Sequence, residues 1–195
     1  MKKTYPLAKP HIGKAEEREV LKVLRSGVLS IGPEIEKFEK AFARFLGAKY
    51  SCAVSSGTAG LHLALIAAGV GKRDEVITTP FSFVASANAI LYVGATPVFA
   101  DIDPHTYNID PKEIEKKITK RTKVVSVVDY GGQPAQLDAL RALCKKNKLV
   151  LVEDACQALG ATYKGKKVGS IADLTVFSFH PRKIVTTGEG GMLVT

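Results

Sequence analysis

The sequence predicts a three-layer α/β/α fold built on a mostly parallel β-sheet. From Tyr50 onward, short apolar segments alternate with helical ones, a pattern typical of strands separated by helices. The segment Val124-Val125-Ser126-Val127-Val128 is almost continuously apolar, which indicates a strand covered on both faces. Strands of this kind occur mainly in parallel sheets that lie between two layers of helices.

Turn-forming residues separate the predicted elements. The predicted strands are 51–54, 75–79, 96–100, 123–128, 149–153 and 174–178. Helical periodicity predicts helices over 14–25, 34–45, 59–68, 84–92, 111–118 and 135–147. Residues 190–195 indicate a turn that enters a further strand, so we expect this chain to be a fragment that lacks a second domain. We expect residues 1–30 to form an arm and first helix, and 31–195 an incomplete large domain.

Composition narrows the class of protein. The 195 residues are 46% hydrophobic and 24% charged, as in an ordinary soluble domain. No apolar run is long enough for a membrane span or a secretory signal. Three widely spaced cysteines form no disulfide or zinc pattern, so we expect a cytoplasmic protein with no metal. We interpret the net charge of +9 as a solvated basic face, because no nucleic-acid motif is present.

Ligands of open parallel sheets bind beyond the carboxyl ends of the strands. After the first predicted strand, the segment 55–60 (Ser-Ser-Gly-Thr-Ala-Gly) opens a helix. Its small and hydroxyl-bearing residues could present free N–H groups to a phosphate. Capping of the helix by Ser56 or Thr58 is the alternative, and this motif taken alone favours capping.

Two charged residues follow later strands. Asp154 ends the fifth strand, where it could cap a helix or pair with a cationic ring nitrogen. Lys183 follows the sixth strand in a stretch rich in glycine and hydroxyl groups, beside His180 and Arg182. Such surroundings favour an amine that reacts with a carbonyl to form a Schiff base. A phosphate cradle, a carboxylate and a lysine are together what a pyridoxal-phosphate (PLP) site requires.

Several segments resemble the DegT/DnrJ/EryC1/StrS aminotransferases, which are sugar aminotransferases of the aspartate aminotransferase fold (fold type I). The most specific is Ser178–Met192; the others are 6–10, 27–33, 55–65, 79–90 and 153–158. The resemblance covers nearly the whole chain. It implies a PLP-binding large domain whose smaller carboxy-terminal domain is missing, and a homodimer with shared active sites.

The resemblance also implies roles for single residues. Lys183 would form the Schiff base with PLP and later move a proton between the cofactor and the substrate. Asp154 would pair with the pyridinium nitrogen, and Gln157 would lie against the cofactor ring. Lys183 argues against the branch of the family that carries histidine at this position and performs dehydration. Asp129 departs from the family pattern, because many members carry histidine there.

The remaining cofactor contacts concern the phosphate and one ring face. Gly57 and Thr58 would hold the phosphate through a backbone N–H and a hydroxyl, helped by Ser178. Phe83 lies where the family places an aromatic residue that stacks on the cofactor ring. Packing at the start of the predicted helix is the alternative for Phe83.

These expectations combine into one reaction. An amino acid, expected to be glutamate, donates its amino group, and a nucleotide-linked keto sugar accepts it to give an amino sugar. A non-catalytic or regulatory homologue, an inactive truncation, and an amino-acid-directed PLP enzyme of the same fold are the alternatives. The sequence leaves open the sugar carbon, the nucleotide and the stereochemistry.

Overall fold

The computed structural model describes residues 5–6 and 8–195. Residues 1–4 and Leu7 lie outside the described residues, and with them the start of the predicted arm and part of segment 6–10. The helices are α1 (Lys14–Ser26), α2 (Pro33–Leu46), α3 (Gly57–Ala67), α4 (Ala85–Tyr92), α5 (Pro111–Glu115) and α6 (Leu137–Asn147). The strands are β1 (Ser51–Val54), β2 (Glu75–Thr78), β3 (Thr96–Phe99), β4 (Thr122–Val128), β5 (Val150–Asp154), β6 (Thr162–Tyr163), β7 (Lys166–Lys167), β8 (Leu174–Ser178) and β9 (Gly191–Val194).

Seven strands form one mixed sheet in the order β1-β9-β8-β5-β4-β2-β3. The strand pairs β2–β3, β2–β4, β4–β5 and β5–β8 are parallel. Strand β9 runs antiparallel to both of its neighbours, β1 and β8. The prediction of a mostly parallel sheet is therefore confirmed, and the further strand predicted at 190–195 is this antiparallel strand.

Helices cover both faces of the sheet and make three layers. Helices α3 and α4 bury aliphatic side chains such as Leu61 and Ile90 against Val124 and Val152 of the sheet. On the other face, α5 and α6 pack beside α2, whose Phe42 meets the ring of Phe177 edge-on at 5.2 Å. Because both faces are buried, the strands carry the nearly continuous apolar runs seen in the sequence.

Two of the helix boundaries that differ from the prediction have local reasons. Helix α6 begins at Leu137 rather than Ala135, because the N–H of Ala135 donates to Asp129 Oδ1 at 2.9 Å and stays in the loop. Helix α5 ends at Glu115 rather than 118, where the N–H of Lys117 turns back to the carbonyl of Ile114 at 2.9 Å. The small hairpin β6–β7 was not predicted, since each of its strands has only two residues.

Helix α1 has an apolar face that no described residue covers. Val20, Leu21 and Leu24 share this face, as predicted, but their exposed fractions are 59%, 45% and 56%. Helix α1 has no buried residue. Among the described residues, no helix has the length and apolar character needed to cross a membrane.

Candidate active site

The amino terminus of α3 lies at the carboxyl end of β1 and forms the first wall of a cavity. Ser56 caps the helix by accepting the N–H of Ala59 at 3.1 Å, so the capping alternative holds for Ser56. Gly57 and Thr58 belong to the first helical turn, where the helix itself supplies no acceptor for N–H groups. A Cβ at Gly57 would lie 2.8 Å from Cys156 Sγ and 2.9 Å from Ser178 Cβ, so only glycine fits at this approach.

Asp154 lies at the end of β5 and is buried, with 6% of its surface exposed. Its Oδ2 accepts the Ser86 hydroxyl at 3.1 Å, and Ser86 in turn contacts the Ser82 hydroxyl at 2.9 Å. Its Oδ1 accepts the N–H of Cys156 at 3.2 Å, two residues along the chain. Asp154 therefore stabilises a local turn and does not cap a helix.

Lys183 lies in the loop that joins β8 to β9. Phe179 closes the base of this loop, because its N–H donates to the carbonyl of Gly190 at 2.9 Å and its carbonyl accepts the Thr187 N–H at 3.1 Å. The N–H of Lys183 donates to the carbonyl of His180 at 2.8 Å. The side chain of Lys183 is half-buried and lines the same cavity as Asp154.

Gln157 and Phe83 form further parts of the cavity wall. Gln157 Oε1 accepts the N–H of Gly131 at 3.1 Å, which fixes the side chain against the turn that follows β4. Phe83 precedes α4, and 71% of its surface is exposed. A ring this exposed is not packed against the start of α4, so packing at the helix start, the alternative given for Phe83, does not describe its position.

One cavity of about 490 Å³ brings the predicted residues together, a volume typical of small-molecule sites. All seven line it: Gly57, Thr58, Phe83, Asp154, Gln157, Ser178 and Lys183. The sequence analysis did not assign a cofactor role to the other lining residues, which are Ser56, Leu61, Ser82, Ala85, Val128, Cys156, His180, Arg182 and Glu189. The spacing of Ser82 and Ser86, four residues apart after a strand, was the available signal for the hydroxyl groups near Asp154.

The cavity contains both signs of charge. Arg182 and Lys183 line it together with Asp154 and Glu189. Burial, followed by the negative charge of Asp154, raises the pKa of the Cys156 thiol well above its usual value. Cys156 is therefore a neutral thiol that packs the wall and does not act as a nucleophile.

Asp129 does not line the cavity. It is fully buried directly after β4, and its Oδ1 accepts the N–H of Ala135. Asp129, the position at which many members of the family carry histidine, therefore lies beneath the cavity in this chain. Among the described residues, no group of three or more His, Cys, Asp or Glu side chains could hold a metal ion.

Comparison with known proteins identifies the family. Residues 10–195 match the model of the DegT/DnrJ/EryC1/StrS aminotransferase family. The spore coat polysaccharide biosynthesis protein SpsC of Bacillus subtilis (strain 168) is 52% identical over 190 residues, which are 97% of this chain and 49% of SpsC. GDP-perosamine synthase of Caulobacter vibrioides is 45% identical over 190 residues, 97% of this chain and 51% of that enzyme.

Solved structures of similar fold belong to the same class of protein. Spr1654 of Streptococcus pneumoniae, solved in a PLP-form and a PMP-form, superposes with a TM-score of 0.95 at 37% identity over 97% of this chain and 52% of that one. This similarity confirms the predicted fold type. The chain spans about half the length of the relatives that it matches. It belongs to the DegT/DnrJ/EryC1/StrS aminotransferase family.

Proposed function

We propose that the intact protein is a PLP-dependent aminotransferase that moves an amino group from an amino acid to a nucleotide-linked keto sugar. The main support for the proposal is that the predicted residues converge on one cavity. A lysine, a buried carboxylate and the first turn of a helix, from three distant parts of the chain, line one cavity. Family membership supports the same reaction, and GDP-perosamine synthase is a relative named for a nucleotide sugar.

The residues present fit PLP. The first-turn N–H groups at Gly57 and Thr58 suit the phosphate, and the absence of a Cβ at Gly57 lets this turn pack directly against Cys156 and Ser178. The hydroxyl of Ser178 lies on the same wall. The buried carboxyl group of Asp154 suits a protonated pyridine nitrogen. The exposed ring of Phe83 is free to stack on the cofactor, and Gln157 lines the same cavity.

Each of these side chains has a defined task. When bound, PLP supplies an electron-withdrawing ring that stabilises negative charge on the substrate carbon. Asp154 keeps that ring nitrogen protonated, because a fixed anion favours the cationic form. Lys183 attaches the cofactor and afterwards, as a free amine, carries a proton between the cofactor and the substrate.

The substrates and the assembly are part of the same proposal. The net charge of +9 and Arg182 in the cavity wall suit a substrate that carries a diphosphate. We take glutamate as the amino donor. We also propose that the protein is cytoplasmic and forms a homodimer. The homodimer is supported by the apolar face of α1, whose side chains remain exposed in the described part of the chain.

The reaction can be tested one half at a time. Glutamate, added to the intact PLP-loaded protein without an acceptor, should convert the bound cofactor to its amine form in stoichiometric amount. A nucleotide-linked keto sugar should then restore the original absorbance. Lys183→Ala should abolish both changes, whereas the exposed Lys166→Ala should preserve them. No spectral change with any amino acid donor would refute the proposed reaction.

A further inference from the structure

Two acidic side chains lie side by side beneath the cavity. Asp129 directly follows β4, and Glu153 precedes Asp154 in β5. Strands β4 and β5 pair in parallel with Val127 opposite Glu153, and the N–H of Asp129 donates to the carbonyl of Asp154 at 3.1 Å. Because side chains alternate along a strand, Asp129 and Glu153 share one face of the sheet, and Asp154 lies on the other.

Each of the two carboxyl groups has one oxygen without a donor. Both residues are completely buried. Asp129 Oδ1 accepts the Ala135 N–H, and Glu153 Oε2 accepts the Gly169 N–H at 3.3 Å and the Thr175 hydroxyl at 2.8 Å. Among the described residues, Asp129 Oδ2 and Glu153 Oε1 have no hydrogen-bond partner.

Two ionised carboxylates cannot remain adjacent in this place at low cost. The titratable groups that act on the pair are the two acids themselves and Asp154, all of the same sign. No Lys, Arg or His side chain of the described chain forms an ion pair with either residue. A buried charge that lacks a partner is strongly unfavourable, so one group must be neutral.

We propose that Asp129 and Glu153 share one proton, held on Asp129 Oδ2 and donated to Glu153 Oε1. This single hydrogen bond satisfies both oxygens that otherwise lack a partner. The proton belongs on Asp129 because Glu153 accepts two further hydrogen bonds, which favour its charged form, whereas Asp129 accepts one.

The direction of the pKa shifts agrees with this placement. Burial, followed by the negative charge of Glu153, raises the pKa of Asp129 well above its ordinary value. Burial also raises the pKa of Glu153, against the hydrogen bonds from Thr175 and Asp129. The folded protein therefore keeps a proton that an unfolded chain releases near the ordinary aspartate pKa.

The pair acts as a support for the site. Asp129 begins the turn whose Gly131 N–H holds Gln157, and Glu153 ties β5 to Thr175 of β8. The hydrogen bond between them connects the end of β4 to β5, and Thr175 connects β5 to β8. These connections lie under Asp154 and Gln157. Asp129 and Glu153 are thus positioning residues. Their role for the cofactor rests on the proposed function, but the shared proton does not.

A proton held only in the folded state makes stability depend on pH. The contribution is complete below the ordinary aspartate pKa and is lost as pH rises through the raised pKa of Asp129. Across that window, the unfolding equilibrium constant gains about tenfold per pH unit from this one proton. Asp129→Asn removes the effect and keeps the geometry, because its amide donates to Glu153 while its carbonyl still accepts from Ala135.

The test is urea unfolding of the intact cofactor-free protein between about pH 5 and about pH 8. Relative to Asp129→Asn, the wild-type unfolding constant should rise with pH by about tenfold per unit until the raised pKa is passed. The exposed Asp173→Asn, directly before β8, is the matched control and should follow the wild type. Parallel curves for the wild type and Asp129→Asn would overturn the proposal.

Infrared spectroscopy tests the proton directly and without enzyme activity. At neutral pH the wild type should show the C=O stretch of a protonated carboxylic acid, sensitive to exchange into heavy water. The band should be absent from Asp129→Asn and also from Glu153→Gln, whose amide would donate to an ionised Asp129. Absence of the band from the wild type, or its persistence in both variants, would overturn the shared proton.

Discussion

Replacement of Gly191 by alanine is expected to destabilise the protein strongly, because this glycine lies where β9 meets the turn that contains Ser56 and Gly57. A Cβ at Gly191 would lie 2.7 Å from the carbonyl oxygen of Phe177, 2.8 Å from the carbonyl carbon of Ser56 and 2.9 Å from the nitrogen of Gly57. All three atoms belong to the backbone, so no side chain can rotate away to make room.

The size of the effect follows from this contact. Overpacking of a filled interior costs typically about 1–3 kcal/mol. Because backbone on two sides must move, we expect about 3 kcal/mol, or about 150-fold in the unfolding equilibrium constant. The displaced turn contains Ser56 and Gly57, so the affinity for PLP should fall as well.

The assay is denaturant unfolding of the intact protein, with the midpoint and slope compared between variants. Gly71→Ala is the matched control, because no atom lies within 4 Å of its Cβ position and its backbone conformation suits any residue. Its stability should change by less than about 0.5 kcal/mol. If Gly191→Ala unfolds at the same midpoint as Gly71→Ala and binds PLP equally well, the steric reasoning is wrong.

Two further substitutions test the electron sink and the core. Asp154→Asn should retain bound cofactor but slow the half-reaction with glutamate by orders of magnitude, because the ring nitrogen loses its anion. An unchanged single-turnover rate would remove Asp154 from this role. Phe177→Ala should lower the free energy of unfolding by about 3–5 kcal/mol, because the ring of Phe177 is fully buried against Phe42. A loss below about 1 kcal/mol would show that the packing of these two rings does not stabilise the fold.

Local sequence was sufficient for the features that depend on neighbouring residues. The apolar run of β4 predicted a doubly covered strand, and Asp154 and Lys183 were found because Asp154 ends one such strand and Lys183 lies in the loop after another. The carboxyl ends of parallel strands meet at one edge of the sheet, so these residues were expected to converge. Their arrangement around one cavity follows from that topology.

Features that depend on distant pairing could not be predicted from the sequence. The hydrogen bond from Ser86 to Asp154 joins residues 68 positions apart, and no local pattern marks it. The need for glycine at Gly191 arises only because β9 enters the sheet between β1 and β8. The contact of Asp129 with Glu153 likewise depends on the register of β4 and β5, which the apolar pattern alone does not fix.

The central claim is that the amine of Lys183 holds the cofactor in the cavity that contains Asp154. The most direct measurement is to treat the PLP-loaded intact protein with borohydride, digest it and locate the modified residue by mass spectrometry. We predict that the cofactor is attached to Lys183 and that Lys183→Ala carries none. Attachment to a different lysine, or equal attachment in the Lys183→Ala variant, would contradict the claim.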